Sequence, residues 1–192
     1  MKRPLRIIAG AWRGRPITSP VGVATRPTSA RVRQALFDIL LHAPWAEDAV
    51  KGCRVLDAFA GSGALGFEAL SRGAERVSFL ESAPAACAAI QYNIRAYGIA
   101  DRATVMICDV LSPPRGSPHS LVLIDPPYGR GLVPLSIVAL STSGWIVPGT
   151  VIAAEFGRED RIPANVSPLI ERVHGAARLV IWQHTSKELG HG

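Results

Sequence analysis

The chain has 192 residues, a formal net charge of +6 and a hydrophobic fraction of 48%. That length and apolar content suit one packed domain with at most a small extension. No run reaches the roughly 18 apolar residues of a membrane span, and the basic start Met1-Lys2-Arg3-Pro4-Leu5-Arg6 has no signal-peptide core. Cys53, Cys87 and Cys108 form neither a disulfide frame nor a paired metal-ligand spacing. A soluble, cytoplasmic, metal-free protein is expected.

The charge is unevenly placed. Residues 1–54 carry ten Lys/Arg against three acids, +7, and residues 55–192 carry eleven against twelve, −1. A basic first quarter on a near-neutral body points to a polyanion partner. Residues 5–9 and 14–17 read as the two short strands of a hairpin around Gly10-Ala11-Trp12-Arg13. Arg3, Arg6, Arg13 and Arg15, with Trp12 among them, are candidates to grip phosphates and stack a base. Residues 20–27 read as an irregular loop. Thr28 or Ser29 then caps a helix to about His42. Val32, Ala35, Leu36, Ile39 and Leu40 form one apolar stripe on it, flanked by Arg31 and Arg33. The expected organisation is a basic, RNA-contacting hairpin and helix over 1–43 and a main domain over 44–192.

From Arg54 onward, strand and helix alternate. Strands are expected at 54–57, 76–81, 103–108, 121–125 and within 145–156, with helices at 64–72, 84–97 and 132–141. Residues 168–173 and 178–183 form a final hairpin, and 187–192 a loose tail. Such alternation demands a parallel sheet with right-handed crossovers. The fold class expected is α/β, a doubly wound, mostly parallel seven-stranded Rossmann-like sheet of order 3-2-1-4-5-7-6, its last hairpin strand antiparallel. One joint is unusual. The eleven residues between Asp109 and Leu121 hold three prolines and leave no room for a full helix. Extended, they reach roughly 35 Å. That covers three strand gaps of about 4.8 Å and a return of roughly 17 Å along a strand. A helix there should be missing or one turn long.

The chemistry lies at strand ends. Asp57, Glu81, Asp109 and Asp125 end four successive strands, at the edge where a doubly wound sheet binds ligands. A carboxylate there is tolerable only with a partner. Asp57 opens a small-residue turn, Asp57-Ala58-Phe59-Ala60-Gly61-Ser62-Gly63, in which glycines let the backbone close on a ligand. Glu81 follows Gly61 by twenty residues, the spacing at which an acid accepts ribose hydroxyls. Asp109 is placed to accept an adenine amino proton. Asp57 is placed to face a ligand ammonium, directly or through water. Asp125-Pro126-Pro127-Tyr128 is a rigid acceptor pair, the Asp125 carboxylate and the Pro126 carbonyl, beside a flat ring. A planar exocyclic amine fits it.

The turn at 57–63 together with Asp125-Pro126-Pro127-Tyr128 resembles the S-adenosylmethionine-dependent amino methyltransferases of Rossmann-like fold. Arg6-Ile7-Ile8-Ala9-Gly10, Trp12-Arg13-Gly14-Arg15, Arg26-Pro27-Thr28, Arg31-Val32-Arg33 and Ala35-Leu36-Phe37 narrow the resemblance. They are similar to the bacterial family that methylates N2 of a guanine in 16S ribosomal RNA, over roughly residues 5–183. His119-Ser120 departs from the Phe-Asp usual there. The resemblance implies S-adenosylmethionine as donor, held by Asp57, Phe59, Gly61, Ser62, Gly63, Glu81 and Asp109. It implies catalysis at Asp125, Pro126, Pro127 and Tyr128, and RNA contacts from Arg3, Arg6, Trp12, Arg13, Arg15, Arg31 and Arg33. The partner implied is 16S ribosomal RNA, free or in the assembling small subunit, with the enzyme a monomer. Adenine-N6 methylation of DNA or RNA is the alternative. A nicotinamide-dependent oxidoreductase is the nearest other class, and gives no reason for Asp125-Pro126-Pro127-Tyr128.

Overall fold

Leu121-Val122-Leu123-Ile124 is apolar at every position because it lies at the centre of a sheet covered on both faces. The computed structural model describes residues 5–19, 30–45 and 49–185. The expectations for Arg3, the 20–27 loop, the Thr28 or Ser29 cap and the 187–192 tail lie outside these residues.

The sheet has seven strands in the order β3-β2-β1-β4-β5-β7-β6. They are β1 (Arg54–Ala58), β2 (Arg76–Glu81), β3 (Ala103–Ile107), β4 (Leu121–Ile124), β5 (Val151–Gly157), β6 (Ile170–His174) and β7 (Ala177–Gln183). The first five pair in parallel, and β7 runs antiparallel to both β5 and β6. Order and strand directions are as the sequence predicts. The helices are α1 (Ala30–His42), α2 (Ala64–Ser71), α3 (Pro84–Tyr97) and α4 (Leu132–Thr142). Strand alternation divides the core between the two faces. Leu121 and Leu123 join the cluster around Phe67 and Phe79, whereas Val122 and Ile124 join the cluster around Leu140 and Trp182. No helix among the described residues is long and apolar enough to cross a membrane.

The N-terminal segment shares the main core: Ile7, Ile17, Leu36, Phe37 and Leu40 belong to the cluster of Phe67 and Phe79. Its hairpin is short, with one bridge between Arg6 and Pro16. Hydrogen bonds from Ile7 N to Arg15 O (3.0 Å) and from Ile17 N to Leu5 O (2.8 Å) extend it. What docks it is Glu68, fully buried on α2. One carboxylate oxygen accepts from Ile8 N at 2.8 Å and the other from Ala9 N at 3.0 Å. Arg72 Nε closes the set at 2.8 Å.

Between β3 and β4 the chain runs extended with no helix. Trp145 Nε1 donates to Pro114 O at 2.8 Å, and Gly116 N to Ser143 O at 2.9 Å. A Cβ on Gly116 would lie 2.1 Å from the Trp145 ring, so the strap lies flat on that indole. His119 ends it, buried against Trp145 with ring centroids 5.2 Å apart.

Candidate active site

The strand order switches at β1, which lies between β2 and β4. Ligands of doubly wound sheets bind beyond the carboxyl ends at such a switch. Asp57, on β1, is 1% exposed, and its Oδ2 accepts from Gly66 N at 2.8 Å. This bond ties the strand to the first turn of α2. Position 66 has to be glycine: a Cβ there would stand 2.3 Å from the Phe79 ring. Burial pushes the Asp57 carboxyl well above the usual range; the Gly66 N–H opposes the shift, while the charges of Asp125 and Glu81 add to it. The three acids are therefore electrostatic neighbours.

The turn itself is strained. Phe59 has φ 62, the one described non-glycine residue with positive φ, and Gly63 caps α2 at φ 75. Non-glycine residues with positive φ persist where surrounding structure enforces them, and they concentrate at functional sites. Glu81 enforces this one: its Oε2 accepts from Gly61 N at 2.7 Å and its Oε1 from Ala83 N at 2.8 Å. A carboxylate offers about four lone-pair sites, so Glu81 keeps acceptor capacity for a ligand hydroxyl. Ser62 is buried, Gly61 half-buried, and Asp109 exposed with its Oδ1 accepting from Leu111 N at 2.9 Å.

Asp125 follows β4 directly and is half-buried; Pro126 is buried and Pro127 exposed. Tyr128 is half-buried, and its hydroxyl donates to Glu155 on the neighbouring strand β5. The residues expected to hold the donor and those expected to act on the amine thus meet at adjacent strand ends.

The chain matches the family described as Conserved hypothetical protein 95 over residues 5–183. It is 35% identical over 199 residues to the Ribosomal RNA small subunit methyltransferase D of Escherichia coli strain K12, covering 97% of each chain. The chain belongs to this family. The Haemophilus influenzae protein of the same name is 33% identical, with 95% of each chain covered. Among solved structures, the Escherichia coli methyltransferase yhhF superposes with a TM-score of 0.80 at 35% identity, over 95% of this chain and 99% of that one. A Salinibacter ruber RNA methyltransferase in complex with S-adenosyl-L-homocysteine shares the fold alone. It is 16% identical with a TM-score of 0.63, over 83% of this chain and 94% of that one.

The hairpin turn that carries Trp12 and Arg13 does not lie at the carboxyl edge of the sheet. Crossover helices run opposite to parallel strands, so the C-terminal ends of α2 and α3 lie at the amino edge of the sheet. The hairpin turn is fastened there. Ala11 N donates to Ser71 O at 2.8 Å and Trp12 N to Ser71 Oγ at 3.0 Å. Trp12, expected to stack a base, lies on Tyr97 with centroids 5.1 Å apart. The Arg15 guanidinium covers the same tyrosine at 4.1 Å. Arg33, expected to face RNA, is 1% exposed and donates from Nη2 to Arg6 O at 3.1 Å. The hairpin covers a second face of α1, which places this residue inside. Arg6, Arg13 and Arg31 remain exposed.

Sequence reasoning passed over Glu68, Glu155 and Asp160. The first two are lone acids inside apolar runs, Ala64–Ser71 and Val151–Gly157, and that isolation was the available signal. Asp160 joins two loops: Gly129 N donates to its Oδ1 at 3.1 Å and Gly157 N to its Oδ2 at 2.8 Å.

Proposed function

We propose that this protein transfers a methyl group from S-adenosylmethionine to the exocyclic N2 amine of a guanine in small-subunit ribosomal RNA. The observation that carries this reading is the junction of Asp125-Pro126-Pro127-Tyr128 with the acid-rimmed turn of β1. It rests also on the family and on the names of its relatives.

The residues present suit the donor. Asp57, Glu81 and Asp125 crowd negative charge at one strand edge, and the strained Phe59 turn exposes close backbone beside it. A cationic nucleoside relieves that crowding. When bound, S-adenosylmethionine supplies an electrophilic methyl group on a positively charged sulfur. In this reading Glu81 accepts from ribose hydroxyls, Asp109 from the adenine amino group, and Asp57 faces the methionine ammonium. Phe59 and the 61–63 turn line the same pocket.

Guanine N2 is a weak nucleophile because its lone pair is delocalised into the ring. Positive charge grows on it during attack. The Asp125 carboxylate and the Pro126 carbonyl are acceptors fixed in advance of that charge, so their stabilisation costs no reorganisation. Tyr128 offers the base a stacking face, and its bond to Glu155 fixes the plane of that face. Pro127 holds the backbone between them. Alignment of the amine with the methyl supplies the rest of the barrier lowering. A paired base inside a helix cannot reach this edge, so the target is unpaired or turned out.

The substrate is 16S ribosomal RNA, free or in the assembling small subunit, and the enzyme works in the cytoplasm as a monomer without metal. The test is transfer of labelled methyl to RNA from a strain lacking the gene, with the product nucleoside identified. N2-methylguanosine supports the reading; N6-methyladenosine, or no incorporation, refutes it.

A further inference from the structure

A polyanion has to approach the carboxyl edge of the sheet, where the half-buried Glu81 and Asp125 and the exposed Asp109 offer carboxylates that repel phosphate. Cations must therefore act close to that edge. The hairpin turn cannot serve. It is fastened to the far end of α2, and eight residues of helix span about 12 Å. At physiological ionic strength charges are screened over about 8 Å. Arg13, on that turn, is beyond useful range of the catalytic residues.

Three other arginines are within range. Arg130 lies two residues after Tyr128, at most about 7.6 Å away along the chain between Cα atoms. Arg158 is the first residue after β5, the strand paired with β4. Arg161 follows in the same loop. The two loops are held together by the Asp160 carboxylate on Gly129 N and Gly157 N. A Cβ on Gly157 would lie 3.0 Å from Tyr128 Cβ, so the end of β5, from which the second loop starts, lies against the base of the tyrosine. Arg178 Nη2 donates to Asp160 O and fastens the loop from β7. Arg130, Arg158 and Arg161 are all exposed, and none forms an ion pair or side-chain hydrogen bond among the described residues. Of the acids in the two loops, Asp125 is half-buried at the end of β4, Asp160 is engaged by backbone N–H groups, and Glu159 is exposed and opposes the arginines.

We infer that Arg130, Arg158 and Arg161 form an RNA-phosphate clamp beside Tyr128 that holds the strand flanking the target base. This rests on the proposed function and names the surface by which that site takes its substrate. Guanidinium groups suit it because they pair with phosphate through two parallel N–H bonds and stay charged at all working pH values. The clamp carries no base specificity; it sets position.

The test measures methyl transfer to gene-deficient small-subunit RNA across a salt series, with Arg130→Ala, Arg158→Ala, Arg161→Ala and the triple variant. Arg95→Ala removes an exposed arginine from α3 and serves as the charge control. Each clamp variant should raise the KM for RNA several-fold, and the triple variant more than tenfold. The slope of log KM against log salt should fall by about 0.7 per arginine, or about 2 for the triple variant, the value for phosphate contacts on a single strand. Donor affinity by calorimetry should stay unchanged, and Glu159→Gln should lower the KM. Clamp variants that behave like Arg95→Ala overturn the inference. So does an unaltered salt slope with a raised KM, which would point to an uncharged or protein contact. If the wild-type protein transfers no methyl to RNA, the proposed function fails instead.

Discussion

The hydroxyl of Tyr128 donates to the carboxylate of Glu155, linking the loop after β4 to the buried strand β5. Glu155 is 8% exposed, so this bond is largely shielded from water. Hydrogen bonds to charged groups contribute about 1.5–3 kcal/mol. A double-mutant cycle of Tyr128→Phe and Glu155→Ala on thermal stability should return a coupling of that order. The same single variants should lower kcat/KM for RNA while donor affinity holds, because the ring loses its fixed plane. Additive effects in the cycle would show that the two side chains act independently.

Glu68 docks the N-terminal hairpin through two backbone N–H groups and Arg72. Removing one partner of a buried ion pair costs about 3–5 kcal/mol. Glu68→Ala should therefore lower the melting temperature strongly and open residues 5–17 to limited proteolysis. Glu68→Gln keeps one acceptor oxygen and should lie between the two. A hairpin that stays protected in Glu68→Ala would show that its apolar contacts suffice.

Asp57 carries a pH dependence whose sign is fixed. Its carboxyl is raised above its ordinary 3.8, chiefly by burial. As pH rises from acid, the unfolded chain releases this proton first. The native state then binds more protons, so stability falls with rising pH until the buried group also ionises. Asp57→Asn retains an oxygen for the Gly66 N–H and removes the charge. The ligand-free variant should lose this component of the pH profile and gain stability at alkaline pH. It should also bind S-adenosylmethionine about tenfold more weakly, a difference of roughly 1.4 kcal/mol. A variant with the wild-type pH profile contradicts this.

His119 should act in the opposite direction. Burial lowers it from 6.5, with the Ser117 carbonyl opposing and Arg54 adding to the shift. Its Nδ1 lies 2.8 Å from Ser117 O, a pure acceptor, which assigns the proton to Nδ1 and leaves Nε2 to accept from Ser78 Oγ at 3.0 Å. As pH falls below 6.5, the unfolded chain gains a proton that the native ring resists, and stability is lost. His119→Phe should flatten the unfolding profile in that acid range.

The sheet order was legible because each element carries its own period, and because four strands end in acids. The missing helix before β4 was legible from eleven residues and three prolines. The hairpin's position was not. It depends on Glu68 meeting N–H groups some sixty residues earlier in the chain, and on Trp12 lying on Tyr97. No local pattern encodes either contact. Arg33 misled for the same reason: the helical wheel places it at the rim of the apolar stripe, and only the docked hairpin makes that rim interior. At the candidate site, the strand ends pointed to the acids, while the partners of Glu155 and Asp160 became visible only when neighbouring strands and loops were brought together.

The central claim is that the Asp125 carboxylate stabilises the charge growing on the target amine. The most direct measurement is single-turnover methyl transfer to gene-deficient small-subunit RNA by Asp125→Ala, with donor affinity followed by calorimetry on the same preparation. The account expects the rate of methyl transfer to fall by a factor of about 100 to 1,000, the usual cost of losing one preorganised electrostatic contact, while the donor still binds. Methyl transfer at close to the wild-type rate in Asp125→Ala would contradict it.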